Sequence, residues 1–65
     1  MIKLTLKEAR KSKKFTLEEV AEKLNLTAST ISKYENGTII PKIDQINSLL
    51  KLYEVRYEEI EFLRL

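Results

Sequence analysis

Apolar side chains recur every three or four positions along this chain, and the interruptions fall at residues that start or stop helices. Thr5-Leu-Lys-Glu8 opens the first segment as a capping box, the threonine oxygen taking the N–H of Glu8 while the Glu8 carboxylate reaches back. The spacing predicts a helix over about 6–13. Thr16-Leu-Glu-Glu19 repeats the device and opens a second helix to about residue 24. Asn25 follows, a residue that tolerates the left-handed conformation in which helices often end. Thr27 caps a third helix over about 28–35, stopped by Asn36-Gly37. Pro41 stands at or just before a fourth helix with Ile43, Ile46, Leu49 and Leu50 on one face. After a break near 53–56, Ile60 and Leu63 at i, i+3 predict a short fifth helix. Ile2, Leu4 and Leu6 alternate briefly, but Thr5 caps a helix inside that run, so no strand is expected.

These elements predict an all-α fold, a compact five-helix bundle in one domain over 1–65. The single glycine and single proline both lie in the loop after the third helix, which leaves no linker. The faces predict a core of Leu6, Ala9, Val20, Ala21, Leu24, Leu26, Ile31, Tyr34, Ile43, Ile46, Leu49, Leu50, Val55, Ile60 and Leu63. Ala21 is small where the second and third helices cross, and a bulkier residue would force their axes apart.

Composition removes most chemistry. Without cysteine or histidine there is no disulfide, no thiolate ligand and no imidazole base. With one glycine there is no loop to cradle a phosphate, so no enzyme, metal, cofactor or small-molecule ligand is expected. Pairs such as Glu18/Glu22 and Glu58/Glu61 fit exposed helix surface. No apolar run approaches the roughly 18–20 residues that span a bilayer. Lys3 and Lys7 interrupt any apolar leader, and a cytoplasmic protein is expected. The net charge of +2 is unevenly placed: residues 1–42 carry +4 and residues 43–65 carry −2. Arg10, Lys11, Lys13 and Lys14 cluster just before the second helix, where a solvated turn and a phosphate contact are both open readings.

From Thr16 to Gly37 the pattern describes two short helices joined by a tight turn, the second with a small, polar outer face. Such a helix is built to be inserted, and the DNA major groove is the leading receiver. Arg10, Thr16, Val20-Ala21, Leu26-Thr27, Ile31, Tyr34-Glu35-Asn36-Gly37 and Pro41 occur in an ordered set. In these features residues 5–63 resemble the phage-repressor (Cro/repressor-like, XRE) family of helix-turn-helix domains, with the motif at about 16–36. The resemblance implies a lambda-repressor-like DNA-binding domain, encoded by a bacterium or phage.

The resemblance also implies roles for particular residues. Arg10 would pair with Glu35 beneath the third helix, forking two N–H groups onto one carboxylate. Phosphate contacts would fall on Thr16, Leu17, Thr27, Asn36, Thr38 and Lys42, with Lys14 added from the basic cluster. Family members often carry glutamine where this chain has Leu17, which leaves only a backbone N–H to donate there. Thr16 is already explained as a cap, so phosphate contact would be a second task. Base contacts would fall on Ala28, Ser29, Thr30, Ser32 and Lys33, although Thr30 lies toward one flank. This reader has no Arg, Asn or Gln, so no bidentate base contact is visible and selectivity per monomer should be weak.

That weakness calls for two copies on a palindromic site. Phe62, Leu63 and Leu65, with Ile39 and Ile40 as a second surface, are the expected homodimer contacts. The expected function is sequence-specific binding of double-stranded DNA by a transcriptional regulator of the repressor type. The alternative is a protein–protein adaptor that keeps the bundle and does not bind DNA.

Overall fold

The computed structural model of the chain describes residues 3–61. Four α-helices follow in order: α1 (Leu6–Ser12), α2 (Leu17–Leu24), α3 (Ala28–Asn36) and α4 (Ile43–Tyr53). Both capping boxes form. Thr5 accepts the Glu8 N–H at 3.1 Å and Thr16 accepts the Glu19 N–H at 3.1 Å, while each glutamate accepts its threonine's N–H at 2.8 Å. Thr27 caps α3 through the Thr30 N–H at 3.2 Å. Lys42 opens α4 without a side-chain cap. α2 packs against α3, with α1 laid on α3 and α4 laid on α2.

Every helix is followed by a residue in the left-handed conformation: Lys14 (φ 61°), Asn25 (59°), Gly37 (80°) and Glu54 (58°). A left-handed L-residue costs roughly 1–2 kcal/mol against a right-handed one, a penalty glycine escapes. At the three non-glycine stops the next residue is apolar and packs on the core: Phe15, Leu26 and Val55. Each also donates its N–H back across the last turn, Phe15 to Arg10, Leu26 to Ala21 and Val55 to Leu50, at 2.8–3.2 Å. This is the Schellman arrangement, in which an apolar anchor and a long backbone bond hold the turn. At Gly37 the next residue is polar Thr38, whose N–H meets the Lys33 carbonyl at 3.0 Å. There glycine removes the strain, and no apolar anchor is needed.

The buried core comprises Leu6, Ala9, Val20, Ala21, Ile31, Leu49, Leu50, Tyr53 and Ile60. Leu24, Leu26, Tyr34, Ile46 and Val55 are half-buried around it. Two of the sequence expectations are corrected. Ile43, expected inside, is 66% exposed. α4 enters the core progressively, so its first apolar position stands clear, Ile46 is half-covered and Leu49 is enclosed. Tyr53, placed by the sequence pattern in a break, is instead the last residue of α4 and wholly buried. It continues the Ile46, Leu49, Leu50 stripe at i+7, a signal the sequence contained.

The expected fifth α-helix is also not found within the described residues. Tyr57–Glu59 form one 3-10 turn, after which Ile60 is extended and pairs in parallel with Leu4. The Leu4 N–H donates to the Glu59 carbonyl at 2.8 Å and the Glu61 N–H donates to the Leu4 carbonyl at 2.7 Å. Ile60 is buried as expected, but by a strand-like bridge. An apolar residue at one buried position satisfies either geometry, so spacing alone does not separate them. Leu63 lies outside the described residues.

Tyr53 places a hydroxyl in the core with no hydrogen-bond partner among the described residues. Burial drives its pKa far above the usual phenol value, the Glu35 carboxylate adds to the rise, and Arg10 opposes it. A buried unpaired donor costs on the order of 1–3 kcal/mol, so Tyr53→Phe should raise stability by about 1 kcal/mol. A group raised on folding stabilises fully below its unfolded pKa of 10.0 and loses that contribution as pH rises further. The variant's advantage in urea unfolding should therefore widen above pH 10. A constant or vanishing difference would contradict this.

The helix stops make opposite predictions. Lys14→Gly should stabilise by about 1 kcal/mol, a rise in Tm of roughly 4–8 °C for so small a domain. Gly37→Ala should destabilise by a similar amount. Thermal unfolding by circular dichroism reads both.

Candidate nucleic-acid interface

Beneath α3 sits a buried ion pair. Arg10 and Glu35 are each 8% exposed. The Arg10 Nε donates to Glu35 Oε2 at 2.7 Å and its Nη2 reaches Glu35 Oε1 at 3.4 Å. Its Nη1 donates to the Phe15 carbonyl at 2.8 Å, while the Phe15 N–H returns to the Arg10 carbonyl at 3.2 Å. One side chain thus ties the last turn of α1 to the residue before the α2 cap and to the C-terminal part of α3. The Phe15 carbonyl was not legible in the sequence, because a backbone acceptor leaves no residue-type signal. Phe15 itself lies between Tyr53, with ring centroids 6.5 Å apart, and the Lys23 ammonium, 5.7 Å above its ring.

Above this clamp α3 buries Ile31 and Glu35 and turns the other side outward. Ser29 and Lys33 are exposed, and Ala28, Thr30 and Ser32 are half-buried. The Thr30 and Thr27 hydroxyls lie 2.9 Å apart, so the Thr30 oxygen is engaged at the cap. Ser29, Ser32, Lys33 and the Tyr34 hydroxyl are the polar groups of α3 that carry no side-chain bond among the described residues, and of these Tyr34 packs its ring against the core.

The residues expected to meet phosphate gather at element ends. Thr16 is exposed, and its oxygen accepts in the cap while its hydroxyl proton remains free to donate outward. Leu17 packs its side chain against the core and offers only its N–H, one of the unpaired donors at the positive end of α2. Asn36 holds the loop with its Oδ1, which accepts from the Thr38 N–H at 2.9 Å and from the Thr38 hydroxyl. Because a backbone N–H can only donate, the carboxamide oxygen must face Thr38 and its NH2 is left facing away. Thr38, conversely, spends both its N–H and its hydroxyl proton on the loop. Lys14 and Lys42 are exposed cations, Lys42 at the start of α4. Lys13 differs, since its ammonium is paired with Glu54 and holds that carboxyl below the usual range.

Ile39 and Ile40 are 41% and 60% exposed in the loop after α3, beside exposed Ile43. Phe62, Leu63 and Leu65 lie outside the described residues. Among the described residues no helix is long and apolar enough to cross a membrane.

A family model described as helix-turn-helix matches residues 6–60, from the first residue of α1 to the bridge at Ile60. The chain belongs to the XRE-type helix-turn-helix family. It is similar to two Bacillus subtilis (strain 168) proteins. One is an uncharacterised HTH-type transcriptional regulator, YobD, 34% identical over 55 residues. The other is the HTH-type transcriptional regulator ImmR, 42% identical over 50 residues. These matches cover 85% and 77% of this chain but only 49% and 39% of the two relatives. The chain therefore spans about half or less of the regulators it matches. α2 and α3 pack against each other across the turn at 25–27, where the Leu26 N–H donates to the Ala21 carbonyl at 2.8 Å.

Breaking a buried pair on one side leaves an uncompensated charge, a loss of about 3–5 kcal/mol. Arg10→Ala should approach that range, whereas Glu8→Ala removes half of an exposed capping box and should cost about 1 kcal/mol or less. Arg10→Met combined with Glu35→Leu should recover much of the loss in urea unfolding. Equal small effects of Arg10→Ala and Glu8→Ala would show that the pair carries no stability.

Proposed function

We propose that this helix-turn-helix unit binds double-stranded DNA and regulates transcription, with α3 entering the major groove as a homodimer on a palindromic operator. The observation that carries this reading is the division of α3. Its inner side is pinned by Ile31 and by Glu35 on Arg10, while Ser29, Ser32 and Lys33 carry no internal bond. The groups this reading assigns to phosphate are the Thr16 hydroxyl, the Leu17 N–H, the Thr27 cap, the Asn36 NH2, Lys14 and Lys42. Of the polar base-reading positions, Lys33 is the strong donor, suited to guanine N7 or O6, and Ala28 and the Thr30 methyl suit thymine methyls. Thr38 is the weakest phosphate candidate, because its donors are already used.

The thin reading face supports dimerisation, which doubles the contacts and adds half-site spacing as information. Ile39 and Ile40, extended by Ile43, supply the exposed apolar surface for it. Repression by occupying an operator is the action this reading assigns to the DNA-binding unit. A cytoplasmic location accompanies this reading.

Selection from a random DNA pool should enrich a palindrome with half-sites about 10 bp apart. No enrichment would favour a protein partner for the same bundle. Lys33→Ala should weaken the selected site more than random DNA. Lys42→Ala should weaken both alike and flatten the salt dependence by about one unit per bound protomer.

A further inference from the structure

We propose that Lys7, Lys11 and Lys14 form a cationic track for DNA phosphates, continuing the backbone contact made at the start of α2. The proposal rests on the DNA-binding reading above and adds a surface on α1 to it. Three observations carry it. Lys7 and Lys11 stand one turn apart on α1, and Lys14 follows at the helix stop. All three are exposed, and their side chains have no hydrogen bond or ion pair among the described residues. The neighbouring carboxylate on α1, Glu8, is turned to the Thr5 N–H and neutralises none of them directly.

Position makes the track more than a solvated helix face. Arg10, between Lys7 and Lys11 in sequence, is bonded both to Phe15, next to Thr16, and to Glu35, next to Asn36. The last turn of α1 is thereby clamped between the two element ends that carry the candidate phosphate donors. Lys14 lies two residues before the α2 cap, Lys11 beside the clamp, and Lys7 a further turn along α1. Lys7 and Lys11 are thus about 5–6 Å apart at their Cβ atoms on one side of α1, and Lys14 follows past the helix end. Lys13 is excluded from the track because Glu54 already holds it. A duplex backbone suits three exposed, unpaired cations spread over α1 and its stop better than a compact anion, which needs converging donors.

The test uses the full chain and its selected duplex. Lys7→Gln/Lys11→Gln keeps good helix formers at both positions. Each phosphate contact contributes about 0.9 to the slope of log affinity against log salt, so the double variant should lower that slope by about 1.8 per protomer, about 3.6 for a dimer on its palindrome. Ethylation interference should lose phosphates contiguous with those lost in Thr16→Val. An unchanged slope in a variant with wild-type thermal unfolding would overturn the track. So would the loss of phosphates remote from the Thr16 position. Retention of the slope together with lost binding to anionic phospholipid vesicles would overturn it as well, assigning the lysines to a membrane surface. Failure of the wild-type chain to bind any duplex is a different result and would remove the parent reading.

Discussion

The arrangement of this chain depends on how Arg10 is satisfied. A guanidinium shielded from water loses a large hydration energy and stays charged, so it must be met by acceptors on several sides. Here a carboxylate from α3 and a carbonyl from the α1–α2 turn meet it together. The requirement runs in both directions. Arg10 needs Glu35 and Phe15 in place, and their positions in turn fix where α3 ends and where α2 begins. The orientation of the outward face of α3 is therefore set from beneath, by a bond made on the side opposite the one proposed to meet DNA.

The helix stops divide the molecule by the same logic. Where a left-handed lysine, asparagine or glutamate ends a helix, the following apolar residue is drawn into the core and holds the turn there. Only α3 ends on glycine, and its following residue stays polar and outside. After that exception residues 38–40 stay outside, and the loop turns back inward only at buried Pro41. Asn36 and Thr38 bond to one another, and Ile39 and Ile40 remain exposed.

Much of this was legible in the sequence because it is local. The three threonine caps, the Asn25 and Gly37 stops and the Ile31/Tyr34 stripe are each written within a few residues, whereas the burial of Glu35 followed only from the family resemblance. The stops at Lys14 and Glu54 were not legible, since neither residue favours the left-handed region and the anchoring comes from packing. Ile43 was misplaced because helical spacing tells which side of a helix is apolar but not how far the helix extends beyond its neighbours. The Leu4–Ile60 bridge depends on two segments meeting from opposite ends of the chain. In the candidate interface, residue types pointed to donors, but hydrogen bonding decided which protons remain. Asn36 keeps its NH2 and Thr38 keeps nothing, a distinction that composition does not contain.

The bridge between Leu4 and Ile60 also bears on how the molecule forms. The capping boxes and the left-handed stops are contacts between residues only a few positions apart, and such contacts close quickly. The bridge instead encloses almost the whole chain and, among the described residues, returns two backbone bonds and the burial of Ile60. Its ordering entropy is recovered only after the helices have already brought the two segments near. It is thus a late closure in folding and an early opening in fluctuation. The Leu4 and Ile60 segments can separate while Arg10 continues to hold α1, α2 and α3 together.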